Sequence, residues 1–284
     1  MRGGRAMKIY ISTDMEGVAG VVSWNEMEPP TGREWTAMQD TELNWLIQEI
    51  QNSPLNNQIE EIVICDSHAR GENLRYGAIN DKRISWIRGY PRPFYMMEGL
   101  DSSFNLVMFI GYHARIGSWH GVMDHSYSSS AIYNIRLNGT EVGEVEINTY
   151  FAGWHGVPVG LVSGDDILRH QLKGFLDVPY VQTKEGIGRF SAKVYHPDIV
   201  KENYSKAFKE LLDKLPDLKA LKPAPETVLE IDLCTTVIAD AVSVIPGLKR
   251  ISGRTVRYVS TNYPDVLKMI LTVAMLGGRF ANYK

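Results

Sequence analysis

Cysteine is nearly missing: the 284-residue chain has two, Cys65 and Cys234. Two thiols cannot build a disulfide framework, and their scarcity suggests a reducing compartment. There is no Cys-x-x-Cys pair and no His-Glu-x-x-His string. A zinc knuckle and that class of metalloprotease are therefore excluded. Long apolar runs are also missing. The longest candidates, residues 106–110 and 270–276, fall far short of the ~18–20 residues that span a bilayer, so no membrane role is expected. Nor is there an excess of one charge: 30 basic side chains face 33 acidic ones, a net charge of -3. A dedicated nucleic-acid binder usually shows a clear basic surplus, and none is expected here. Arg2 and Arg5 are not followed by an apolar stretch of signal-peptide length, so the chain reads as cytoplasmic. No internal repeat or low-complexity tract is found.

The remaining composition is that of an ordinary globular protein, 44% apolar and 22% charged. At roughly 100–200 residues per domain, the length suits one large domain or two modest ones. Residues 1–6 read as an extension, and residues 28–32, 90–93 and 222–225 as loops rich in Pro or Gly.

Strand and helix patterns alternate through the first two thirds. Residues 8–12, 61–65, 106–110 and 157–162 read as strands, with 84–87 a weaker one; short continuous apolar runs suit buried parallel strands. Residues 34–51, 144–153 and 166–176 have helical patterns. This alternation predicts an α/β fold, a three-layer Rossmann-like sheet domain with helices on both faces. Later elements are strands at 191–195, 227–233 and 255–260, a helix at 197–214, and a closing helix at 264–276 ending at Gly277-Gly278. They predict a second, smaller α+β domain. The division is expected at 1–185 and 186–284, with a glycine-containing joint at residues 184–188.

The chemistry gathers where strands end. The first strand is followed by Asp14-Met15-Glu16-Gly17, the second by Asp66-Ser67-His68, and the 106–110 strand by Gly111-Tyr112-His113. Ligands bind at the carboxyl ends of strands in open parallel sheets. Any one of these residues alone reads more simply as a cap, a solvated acid or a hydrogen-bonded histidine. Asp66 also suits a turn cap, or a group orienting a ligating histidine. Their joint occurrence predicts a metal site at Asp14, Glu16, His68 and His113. A mixed carboxylate and imidazole set suits zinc, manganese, cobalt or iron better than calcium or magnesium.

Six short strings occur in order: Asp-Met-Glu-Gly (14–17), Asp-Ser-His (66–68), Met-Glu-Gly-Leu-Asp (97–101), Gly-Tyr-His-Ala-Arg (111–115), Met-Asp-His-Ser (123–126) and Val-Gly-Glu (142–144). Together they resemble the zinc-dependent D-aminopeptidases associated with bacterial dipeptide-transport operons. The resemblance covers nearly the whole chain from Met7. It implies two zinc ions held by Asp14, Glu16, His68, His113 and Glu144, with Asp14 bridging. It also implies a catalytic role for His125 and a large homo-oligomer, a decameric ring, that encloses the active sites. Without the resemblance, Glu144 reads as a first-turn acid favoured by the helix dipole.

Two divalent ions, three carboxylates and one bridging hydroxide sum to neutrality, and such a hydroxide is a good nucleophile near neutral pH. The expected activity is hydrolysis of the N-terminal residue of short peptides or aminoacyl amides by that hydroxide, with D-residues accepted. His125 is expected to move a proton to the leaving amine or to stabilise the oxyanion, with His120 as its rival. The competing readings are a hydrolase of another amide or ester, and a metal-containing peptide-binding or carrier protein linked to transport. Asp165 and Asp166 are read as helix caps, Cys65 as an inert buried thiol, and His155, His170 and His196 as structural or exposed. Lys184 and Arg189 are read as exposed charges or contacts to a peptide carboxylate, and Trp24, Trp35 and Trp45 as core or subunit contacts.

Overall fold

The computed structural model describes residues 6–27 and 32–283. Most of the expected N-terminal extension and of the 28–32 loop lie outside the described residues. Among the described residues, twelve strands and six α-helices follow in chain order: β1 (Met7–Thr13), α1 (Gly32–Gln51), β2 (Ile59–Asp66), β3 (Ile84–Ile87), β4 (Leu106–Tyr112), β5 (Ile132–Leu137), β6 (Thr140–Glu141), α2 (Glu144–Trp154), β7 (Val159–Asp165), α3 (Asp166–Gln171), β8 (Tyr180–Gly188), β9 (Ser191–Val194), α4 (Pro197–Lys214), β10 (Thr227–Leu233), α5 (Thr236–Val242), β11 (Lys249–Arg250), β12 (Thr255–Ser260) and α6 (Tyr263–Phe280).

The larger sheet runs β3-β2-β1-β4-β7-β8-β9, parallel except for the β8–β9 hairpin at its edge. Strands β4 and β7 are buried along their whole length, which is why their apolar runs do not alternate with polar residues. Successive side chains of β1 feed two different cores. Ile9 and Ile11 pack with Leu43, Leu46 and Ile47 of α1 and Tyr204 and Phe208 of α4. Tyr10 joins Phe109, Val145, Ile231 and Val266 on the opposite side. The sheet is thus the middle of three layers, as the sequence predicts.

The second layer differs from expectation in which residues build it. A five-stranded antiparallel sheet, ordered β11-β12-β10-β5-β6, takes β5 and β6 from the first half of the chain. In the other direction, β9 completes the larger sheet and α4 covers it. The expected line between residues 185 and 186 therefore does not separate the two sheets. The chain leaves the large sheet after β4, lays down β5 and β6, and returns through α2 to β7. Strand β10 alternates buried and half-buried residues. Its outward Glu230 and Asp232 pair across strands with Arg136 and Arg257.

Helix α6 also runs past the expected stop at Gly277-Gly278. Gly277 is buried, and a Cβ there would come within 2.9 Å of Ile238 and 3.1 Å of Ala131. This glycine permits close packing rather than ending the helix.

The position of β1 decides where the chemistry sits. From β1 the chain goes to β2 and β3 on one side, and later to β4 and β7 on the other. This reversal opens a crevice at the carboxyl ends of β1 and β4, the usual ligand position of an open α/β sheet.

Candidate metal centre

Two glycines bring the ends of β1 and β4 together. Gly17 N donates to Gly111 O at 2.7 Å, and Asp14 N to Ile110 O at 2.8 Å. A Cβ on Gly17 would lie 1.9 Å from Tyr112 O, so no other residue fits. Gly111 adopts φ +73, a left-handed conformation that glycine adopts without strain.

Asp14 and Glu16 leave β1 into the crevice, His68 follows β2 and His113 follows β4. Glu144 opens α2, and His125 comes from the long loop after β4. All six converge. His68 Nδ1 lies 3.0 Å from Glu16 Oε2 and 3.3 Å from Asp14 Oδ1. His113 Nε2 lies 3.4 Å from both Asp14 Oδ2 and Glu144 Oε2. The two oxygens of Asp14 thus face different imidazoles. His125 Nε2 lies 3.9 Å from an oxygen of Glu16 and of Glu144. Its ring stacks on His113 at 4.1 Å. Asp14, Glu16, His113 and Glu144 are each no more than 3% exposed.

His113 tests whether a metal fits. Its Nδ1 lies 2.9 Å from the Ala114 carbonyl oxygen. A carbonyl only accepts, so in the neutral ring Nδ1 carries the proton. Nε2 is then a bare lone pair, buried and without a hydrogen-bond partner, facing two carboxylates. That arrangement repels unless a cation lies between them. Three buried carboxylates and two imidazoles in this arrangement fit zinc by donor type and by charge.

The electrostatics agree. Without an ion, burial opposes charge on His113 and His68, yet Glu144 and Glu16 respectively lead the carboxylates that hold their pKa values well above the ordinary range. Asp14 is pushed up by burial and then by the charge of Glu16. For Glu16, burial is outweighed by His68 and the other imidazoles, which hold it well below the usual carboxylate value. The cluster gathers protons where a metal would otherwise sit. His125 is the exception: burial and then His113 push its pKa down. Its Nδ1 faces the Met123 carbonyl at 2.9 Å, leaving a neutral Nε2 turned toward the cluster.

The surroundings include residues for which the sequence predicts no part in the site. Trp24 Nε1 donates to Glu16 Oε1 at 2.8 Å, and the same ring meets His125 edge-on at 5.4 Å. Tyr127 N donates to Glu144 Oε1 at 2.6 Å. A cavity of about 330 Å³ opens onto the cluster, lined also by Trp24, Tyr95 and Tyr127. Trp24 is therefore a wall of the site, and its ring also packs against a small apolar cluster of Val18, Val21, Val122 and Met123. Trp45 does pack internally, against Tyr204. A larger cavity of about 840 Å³, between α2, α3 and the second sheet, is lined by residues such as Arg115, Glu141 and Gln171. It contains none of the six clustered side chains.

Other candidates fall elsewhere. His120 faces the Ile187 carbonyl and stacks on Trp119, outside the cavity lining. Asp66 accepts from Asn73 N and Leu74 N and shapes the loop that carries His68. Asp165 caps α3 through Leu168 N, and Asp166 accepts from Gly186 N. Cys65 is buried, with its thiol pushed up by burial. Arg189 lies over the Trp24 ring and 3.5 Å from Asp124.

Lys184 contradicts both readings given to it. It is fully buried, and its Nζ donates to the carbonyls of Glu16, Val18 and Val21 at 2.6, 2.8 and 2.5 Å. Burial pulls its pKa down to about 8, while Asp165 and Glu42 lead the carboxylates that oppose the shift.

Comparisons with known proteins bear on this geometry. A family described as D-aminopeptidase matches residues 7–272. A curated D-aminopeptidase of Bacillus subtilis (strain 168) is 30% identical over 283 residues, covering 96% of this chain and 98% of that protein. A solved structure, the Zn-dependent D-aminopeptidase DppA from Bacillus subtilis, described as a self-compartmentalizing protease, matches with a TM-score of 0.89 at 28% identity. That match covers 96% of this chain and 98% of the other.

Proposed function

The chain belongs to the D-aminopeptidase family, and from that membership we propose a zinc-dependent aminopeptidase that removes N-terminal D-residues from short peptides or aminoacyl amides. Two zinc ions are assigned to the crevice. Asp14, Glu16 and His68 would hold one, and His113 and Glu144 the other, with Asp14 shared. The observation that carries this reading is the placement of Asp14, whose Oδ1 and Oδ2 face His68 and His113 respectively.

Bound zinc would supply a Lewis acid for the scissile carbonyl and lower the pKa of water toward ~7. The chain supplies the rest. His125 Nε2, neutral and turned toward the cluster, takes a proton during attack and returns it to the leaving amine. Trp24 and the Tyr127 amide hold Glu16 and Glu144 in place. The walls formed by Trp24, Tyr95 and Tyr127 restrict water around the reacting groups.

A second reading makes His125 a ligand, because donor atoms of His113, His125 and Glu144 lie within 4.8 Å of one another. The His125→Ala variant separates the two roles, as set out below. The DppA neighbour is self-compartmentalizing, and on that basis we assign this chain a homo-oligomeric assembly; a decameric ring and a cytoplasmic location belong to the same proposal. Among the described residues, no helix is long and apolar enough to cross a membrane.

The test is a panel of D- and L-aminoacyl amides and dipeptides, with and without chelator. The expected result is hydrolysis of D-members, abolished by chelator and restored by zinc. If the zinc-loaded protein hydrolyses no member, the binding or carrier alternative replaces this reading. If it cleaves only other amides or esters, the substrate assignment fails while the centre stands, since a fold does not fix a substrate.

A further inference from the structure

A second cavity, of about 210 Å³, adjoins the metal pocket. It is lined by Arg70, Tyr90, Arg92, Leu271, Ala274 and Met275, together with Ala69, Tyr95, Tyr127 and Ser128. These last four residues also line the metal pocket, so the two spaces share a wall. Ala69, Tyr95 and Tyr127 in that wall all have positive φ, at 49, 46 and 59. Such conformations in non-glycine residues cost energy and persist where the surrounding structure enforces them.

Arg92 is unusual in this second cavity. It is only 9% exposed, yet among the described residues it makes no ion pair. Its guanidinium donates to the Asp66 carbonyl at 2.7 Å and to the Ile87 carbonyl at 3.3 Å, and it lies 5.5 Å from the centre of the Tyr95 ring. Nε is buried with no hydrogen-bond partner. A guanidinium has five N–H donors, so those two bonds leave most of its donor capacity unmatched. A buried cation without an anion costs free energy unless something compensates it. Arg70 lines the same cavity. It is exposed, and among the described residues its side chain forms no hydrogen bond or ion pair.

We propose that this cavity receives the residue on the leaving side of the scissile bond, and that Arg92, with Arg70, binds that residue's free α-carboxylate. The proposal rests on the aminopeptidase reading above and adds a length preference to it. Arginine suits the role because its planar fork matches a carboxylate. Leu271, Ala274 and Met275 offer an apolar wall for the leaving residue's side chain. An enzyme built this way prefers a dipeptide with a free C-terminus to its C-terminal amide, because only the free acid presents the anion.

The experiment compares kcat/KM for D-Ala-D-Ala and for D-Ala-D-Ala amide, using the zinc-loaded full chain. The wild type should favour the free acid by about tenfold or more, the scale of a hydrogen bond to a charged group. Arg92→Lys keeps the cation but loses the fork, and should bring the ratio close to one. Arg70→Ala alters an exposed side chain and should reduce the ratio several-fold, so it decides the matter if Arg92→Lys does not fold. A wild-type ratio near one overturns the carboxylate site while leaving the aminopeptidase reading intact. So does a ratio that both substitutions leave unchanged. Cleavage of neither substrate by the wild type counts against the aminopeptidase reading itself.

Discussion

Two groups of buried charge lie side by side in this molecule and are treated in opposite ways. The Lys184 ammonium is enclosed beneath the loop after β1, and three backbone carbonyls accept its protons. The Asp14–Glu16–Glu144 cluster on the other side of the same loop presents buried carboxylates to an imidazole nitrogen with no hydrogen-bond partner. A satisfied buried charge shapes the backbone, whereas an unsatisfied cluster marks a place for a ligand. Glu16 belongs to both groups: its carbonyl faces Lys184 and its carboxylate faces His68.

The largest effect should come from within the cluster. His125→Ala should lower kcat by ~10²–10⁴-fold, the usual contribution of a proton-transfer group, while zinc content stays at the wild-type level. Loss of zinc in that variant would make His125 a ligand instead.

A paired measurement sharpens the contrast. Lys184→Met removes the donor from three buried carbonyls. It should cost on the order of 3 kcal/mol of stability, with or without zinc, as read from denaturant midpoints. Asp14→Asn should abolish zinc binding yet leave the zinc-free protein at least as stable, because it removes a buried charge next to Glu16. If Asp14→Asn destabilises the zinc-free protein as much as Lys184→Met does, the two groups are not different in kind.

A further effect, seen only as a change with pH, concerns Glu42, on α1 behind the same loop. Burial pushes its carboxyl up to about 7, against hydrogen bonds from Ala19 N and Tyr204. A raised folded-state value stabilises the fold below the ordinary pKa of 4.5, and that contribution is lost as pH rises through about 7. Glu42→Gln cannot ionise, so its stability should fall less than that of the wild type between pH 4.5 and 8. The difference should be about 3 kcal/mol. Equal pH slopes in the two proteins would contradict the assignment.

The sheet and most of the convergent cluster were legible in the sequence for one physical reason. Buried parallel strands are continuous apolar runs, and the residues after them face one edge. Asp14, Glu16, His68 and His113 each follow such a run. Glu144 and His125 do not; they were reached through the resemblance, since a first-turn acid and a loop histidine have no distinctive local pattern. Trp24 gave no signal, because its bond to Glu16 depends on the path of a loop. Lys184 was misread because its glycine-rich neighbourhood resembles a flexible joint. Its burial arises from tertiary packing of β8 against the loop after β1. That strand β5 is not legible in the sequence has a related cause: beside the two-residue β6, its one long partner, β10, lies about ninety residues away.

The central claim is that the cluster after β1, β2 and β4 holds two zinc ions that share Asp14. The most direct test is elemental analysis of the purified, zinc-equilibrated protein by mass spectrometry, expressed as zinc ions per chain. The account predicts two per chain; one or none would contradict it.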